Sequence, residues 1–284
     1  MAKMGRRDFL KCGVAGLAVS TVGARPGGGL FVSGKSSGGA GRFQFDLGMA
    51  SYSLRAFSLD QAIEMTRRLG LGRIVLKSMH LPLESSEADA AATARKVRAA
   101  GLDLYGCGVV YMTNAAEVEQ GFRYARAAGM RMIIGAPNPE LLGLVEKKVR
   151  ELDIRMAIHN HGPEDKLYPT PGDAYARVAN LDPRIGLCID IGHTMRAGVD
   201  PSEAARTCAD RVLDFHVKDV TTATQEGNTI EMGRGVIDLL KFARTVVELG
   251  FSGTLAFEFE KDEKDPLPGL AESVGYLRGM LKSL

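Results

Sequence analysis

Four absences narrow what this 284-residue chain can be. Its formal charge is only +2, from 36 Lys/Arg and 34 Asp/Glu, so it carries no basic excess of the kind that draws a protein to nucleic acid or an anionic membrane. It has four cysteines, Cys12, Cys107, Cys188 and Cys208, scattered rather than clustered, which excludes the disulfide framework of small secreted domains. It has no apolar run of the roughly 20 residues that a bilayer span requires. And it has no G-x-G-x-x-G loop after a first strand, which argues against a dinucleotide-binding sheet.

What is present begins with "GRRDFLKCGVAGLAVSTVGA". Arg6-Arg7, then Phe9-Leu10-Lys11, precede thirteen uncharged residues from Cys12 to Ala24, a pattern that resembles a twin-arginine export signal ending at the small residues Val22-Gly23-Ala24. Cys12 follows a lysine and suggests no lipid anchor. The resemblance implies export of a folded chain to the periplasm or cell envelope, with any cofactor loaded first. Residues 1–24 carry four basic residues and one Asp, leaving a chain of 32 basic and 33 acidic residues. Residues 25–44 are rich in Gly and Ser and read as a linker.

From residue 45 a phrase recurs: a helical pattern, a glycine, then a short apolar run. Gly70, Gly101, Gly129 and Gly250 stand where a helix C-cap takes a left-handed residue. Ser58-x-x-Gln61, Asn114-x-x-Glu117 and Asp200-Pro201-x-Glu203 read as helix N-termini. Eight strands are expected, at 45–50, 73–77, 102–107, 131–135, 153–159, 184–190, 211–217 and 253–260. Strands alternating with helices imply a parallel sheet, and eight units in about 240 residues is the size of a (β/α)8 TIM barrel.

The stretch "RMAIHNHGP" holds two of only five histidines. Residues two apart on a strand share a face. One face therefore carries Ala157, His159 and His161; then Cys188, Asp190 and Gly192; then Asp214, His216 and Lys218; then Ala256, Glu258 and Glu260. The opposite face is apolar throughout: Met156, Ile158, Leu187, Ile189, Phe215, Val217, Phe257 and Phe259. The first face turns polar at matched depth on four successive strands, at the C-terminal end where barrel active sites form. His159, Asp190, His216 and Glu258 are thus candidate ligands for one divalent ion, since imidazole and carboxylate suit Zn, Mn, Fe or Co. Lys77 and His80 are expected at the same mouth.

"CIDIGHTMRAG", "FHVKD" and "TLAFEFE" resemble the sugar phosphate isomerase/epimerase superfamily of xylose-isomerase-like TIM barrels. The resemblance implies a metal on Asp190, His216 and Glu258, with His193 of the D-x-x-H pattern near a sugar substrate. It implies a sugar isomerase or epimerase working through an enediolate, or a lyase that eliminates from a keto-glycoside; a sugar-binding protein without catalysis is a third reading. DNA-repair endonucleases share the fold, but a near-neutral chain speaks against nucleic acid. One position departs: the family's strand-five metal-binding Glu is replaced by His159, which removes one base. The sequence leaves open whether His159 or His161 is the ligand. With His159 as ligand, His161 is the candidate base, Glu258 and His193 join it as catalytic candidates, and Lys77, His80, His193, Lys218 and Glu260 are candidate substrate contacts. Lys218 pairs with Asp219 or Glu260 if it does not touch substrate. The oligomeric state is open, a homo-oligomer included.

Overall fold

The structure, a computed structural model, describes residues 43–284; the segment 1–24 expected to be an export signal, and nearly all of the expected linker 25–44, lie outside the described residues. Eight parallel strands close into a barrel. They are β1 (Asp46–Ala50), β2 (Arg73–Leu76), β3 (Asp103–Met112), β4 (Met132–Pro137), β5 (Arg155–His159), β6 (Ile185–Asp190), β7 (Val212–Val217) and β10 (Thr254–Phe257). Between β7 and β10 lies a two-residue antiparallel pair, β8 (Asp219–Val220) and β9 (Thr229–Ile230). Helices α1 (Leu59–Arg68), α2 (Glu87–Ala99), α3 (Ala115–Ala127), α4 (Leu142–Leu152) and α5 (Pro171–Val178) follow the first five barrel strands. Then α6 (Ile191–Arg196) and α7 (Pro201–Thr207) follow β6, α8 (Leu239–Glu248) follows the small pair, and α9 (Leu267–Ser283) ends the chain. This is the (β/α)8 TIM barrel that the strand spacing implies.

The local signals act as their chemistry dictates. Ser58 and Gln61 form a reciprocal capping box on α1. Asn114 caps α3, while Glu117 turns one residue further back to accept from the Thr113 N–H. Asp200 accepts from Ser202 and Glu203 N–H, and Glu203 pairs with Lys241 instead of closing a box. The glycines at 70, 101, 129 and 250 all have positive φ, which a side chain would strain.

Two strands differ from expectation. β3 runs on to Met112 rather than stopping at Cys107. Gly108 lets it pass: a Cβ there would lie 2.3 Å from the Ile134 carbonyl oxygen. β10 ends at Phe257, so Glu258 and Glu260 lie just beyond it. Phe43, on the linker side of the expected boundary, stacks on Phe45.

The apolar face of each strand packs against the helices. Phe122, Phe215, Phe242 and Phe257 are all essentially buried there, each contributing about 1.5–3 kcal/mol. Inside the barrel, Tyr105 of β3 reaches across to donate a hydrogen bond to Asp214 of β7 at 3.0 Å. Burial pushes the Asp214 carboxyl up to about 7. The three cysteines among the described residues are free and buried.

Candidate metal centre and barrel mouth

Each strand end delivers its side chain for a local reason. Asp190 caps α6: its Oδ1 accepts the His193 N–H at 2.8 Å, which is the physical content of the D-x-x-H spacing. That leaves Oδ2 for the site. Asn160 holds the ends of β5 and β6 together, accepting from Asp190 N–H at 3.0 Å and donating to Thr194 Oγ1 at 3.1 Å. His159 is thereby set against β6. Glu258 is anchored by its N–H on the Val217 carbonyl, and Ser53 of the first loop clamps the same turn by accepting from Phe259 N–H.

His159, Asp190, His216 and Glu258 each bring one donor atom within 4.8 Å of the others, and all four are buried. His159 Nδ1 and both ring nitrogens of His216 lack a hydrogen-bond partner. His216 Nδ1 lies 3.1 Å from Glu258 Oε2 but out of line for a hydrogen bond. Buried polar atoms left open in this way are costly, and they are what a bound cation would satisfy. Charge agrees. Three carboxylates, Asp190, Glu258 and Glu260, face one lysine, Lys218, and against the effect of burial Glu258 with the neighbouring acids also raises the pKa of His216. The donor set therefore fits one divalent ion.

Lys218 is fully buried within this group. Its Nζ is 3.0 Å from Asp190 Oδ2, donates to Glu258 Oε2 at 2.9 Å and contacts Glu260. Burial would lower its pKa, but the three carboxylates raise it well above the usual lysine range. Burial likewise opposes ionisation of Glu258, and His216 with Lys218 overrides it, holding Glu258 well below its usual value. The stem of Lys218 crosses Gly192, where a Cβ would sit 2.5 Å from Lys218 Cγ. Asp219 is not its partner. That carboxylate instead accepts four backbone N–H groups, from Val220, Gly233, Gly235 and Ile237, and so holds the loop before α8.

His161 stands beside the cluster, outside the four-donor group. Its ring meets His159 edge-on at 4.4 Å and stacks on Tyr111 at 5.5 Å. The Tyr111 hydroxyl is 3.2 Å from both ring nitrogens, a position over the ring rather than in its plane. Asp165 Oδ2 faces Nδ1 at 3.5 Å. Burial lowers the His161 pKa, with Glu258 and Asp165 opposing, so the imidazole is neutral at pH 7 and able to accept a proton. His193 is lowered further, to about 3, by burial and by Lys218. Arg196 donates to His193 Nδ1 at 3.1 Å, which places the ring proton on Nε2.

Lys77 sits between the rings of Tyr52 and Tyr111, 5.8 and 5.9 Å from their centroids, and donates to the Val109 carbonyl at 2.7 Å. Among the described residues it has no carboxylate within ion-pair distance. His80 is different: Nδ1 is 2.9 Å from Ser51 Oγ and Nε2 is 3.1 Å from the Phe57 carbonyl. Both its nitrogens are occupied in joining the first two loops. Tyr52, Tyr111, Asn160, Asp165 and Arg196 complete the mouth without having been singled out in sequence. Tyr111 escaped because its strand seemed to stop at Cys107; Asn160 did because it points away from the histidine face.

A family model described as xylose isomerase-like TIM barrel matches residues 53–280. An inosose dehydratase from Geobacillus kaustophilus (strain HTA426) is 26% identical over 129 residues, 40% of this chain and 41% of the dehydratase, so the alignment spans well under half of that relative. An L-ribulose 3-epimerase structure superposes with a TM-score of 0.69 at 17% identity, covering 84% of this chain and 95% of that one. A structure described as an IolI protein with a binding zinc atom superposes with a TM-score of 0.71 at 15% identity, covering 84% and 99%. At such identities the structures are alike in fold.

Proposed function

The chain belongs to the xylose isomerase-like TIM barrel family, and from that premise we propose that it is a divalent-metal-dependent enzyme that enolises a sugar or keto-sugar. The observation that carries the reading is the buried cluster of His159, Asp190, His216 and Glu258, with open imidazole nitrogens and more carboxylates than lysines around it. These four residues would hold the ion, which would polarise a carbonyl or adjacent hydroxyl and acidify the neighbouring C–H. His161 is the base. It is neutral, borders the cluster and is open to the mouth, and a positioned base contributes about 10²–10⁴-fold. His193 donates from Nε2 to a substrate oxygen, its tautomer set by Arg196. Lys77 faces developing negative charge from the opposite rim. Lys218 neutralises the carboxylates from within the cluster.

Enolisation ends in isomerisation or epimerisation if the proton returns, and in elimination if a β-substituent leaves. The partial match to an inosose dehydratase supports the second outcome, as does the histidine where a strand-five glutamate would supply a second base. The twin-arginine pattern at Arg6-Arg7 supports work in the cell envelope. The test is solvent deuterium exchange at the carbon next to the carbonyl of keto-sugars and inososes. Exchange that needs metal and is lost in Asp190→Ala supports the reading. No exchange and no product with the metal-loaded protein overturns it.

A further inference from the structure

Beneath the carboxylates the same two histidines converge on a different donor. Cys188 is the register partner of His159 on β5 and of Asp214 on β7. Its Sγ lies within 4.8 Å of a ring nitrogen of both His159 and His216, and all three side chains are buried. We propose that His159, Cys188 and His216 form a second, deeper cation position that takes thiophilic ions such as zinc or cadmium in place of the ion held by the upper four donors. The proposal rests on the metal reading above only in sharing the two imidazoles.

Two independent features point to it. Lys218 already stands against both upper carboxylates, 3.0 Å from Asp190 Oδ2 and 2.9 Å from Glu258 Oε2. The donors left without a hydrogen bond include His159 Nδ1 and both nitrogens of His216, and one nitrogen of each histidine groups with the thiol inside the same 4.8 Å that groups it with the carboxylates. Donor chemistry then separates the two positions. Two nitrogens and a sulfur suit soft ions, whereas the carboxylates above suit manganese or magnesium. In a zinc site, sulfur and nitrogen donors lie about 3.5 Å apart, so no pair has to close by much more than about 1 Å. Binding replaces S–H by S–metal and releases the thiol proton to solvent. One pair of histidines cannot serve both positions at once, so a thiophilic ion competes with the catalytic one.

Cobalt(II) titration of the metal-stripped full-length protein tests this. The expected result is a near-ultraviolet thiolate-to-cobalt charge-transfer band that disappears in Cys188→Ser and persists in Cys107→Ser and Cys208→Ser. Cadmium affinity should fall by about 10–100-fold or more in Cys188→Ser, with manganese affinity unchanged. A wild-type protein that binds manganese but shows no such band overturns the deeper position and leaves the upper site standing, as does a band that survives Cys188→Ser. A protein that binds no divalent ion overturns both; the wild-type spectrum needs no variant to fold.

Discussion

Lys218 places its ammonium 3.0 Å from Asp190 Oδ2, inside the cluster rather than at its rim. A cation so placed gives the metal-free protein a counter-charge that a bound ion would otherwise supply. Removing it in Lys218→Met leaves buried carboxylates without a partner, a change that costs about 3–5 kcal/mol when one side of a buried pair is lost. Urea denaturation of the metal-free protein should show that loss, and saturating divalent ion should narrow the gap to wild type. Equal stability of the two metal-free proteins would mean that Lys218 is not the counter-charge.

Asp219 holds four backbone N–H groups at once. Asp219→Ala leaves them unsatisfied, at about 1–3 kcal/mol each for those that water cannot reach. The variant should lose about 3 kcal/mol or more in urea midpoint analysis, while Asp219→Asn, which keeps one acceptor oxygen, loses less.

His80 gives the protein a pH dependence away from the metal centre. Burial lowers its pKa below 6.5, with backbone carbonyls of Phe57 and Leu54 opposing. The unfolded chain therefore binds a proton at a higher pH than the folded one, so stability present above pH 6.5 is lost as pH falls from there through the folded value. His80→Gln, which keeps a donor for the Phe57 carbonyl, should flatten that part of the stability profile below about pH 6.5.

The barrel was legible because its signals are local: glycines at helix ends, capping residues, and strands whose two faces differ in polarity. Four polar residues at matched depth announced the cluster, since alternation and parallel register leave them nowhere else to go. The placement of Lys218 was less legible. Whether its long stem reaches Asp219 or crosses Gly192 into the cluster depends on packing that no single strand encodes. His80 shows the converse, a histidine at the mouth whose nitrogens are taken up by the fold. Tyr111 was hidden because Gly108, which usually interrupts a strand, here permits close approach of β4.

His161 separates binding from chemistry. His161→Gln should retain the divalent ion and the wild-type fold, yet lower kcat for enolisation by about 10²–10⁴-fold. Loss of metal in this variant would move His161 from base to ligand.

Metal content of the purified protein decides most. Wild type and the variants Asp190→Ala, His159→Ala and His161→Ala would be loaded with manganese, which suits the carboxylate site and not the thiol position, then desalted and measured by elemental analysis against protein concentration. One manganese ion per chain is expected in wild type and His161→Ala, and none in Asp190→Ala or His159→Ala. A wild-type chain without metal, or metal that survives Asp190→Ala, would contradict it.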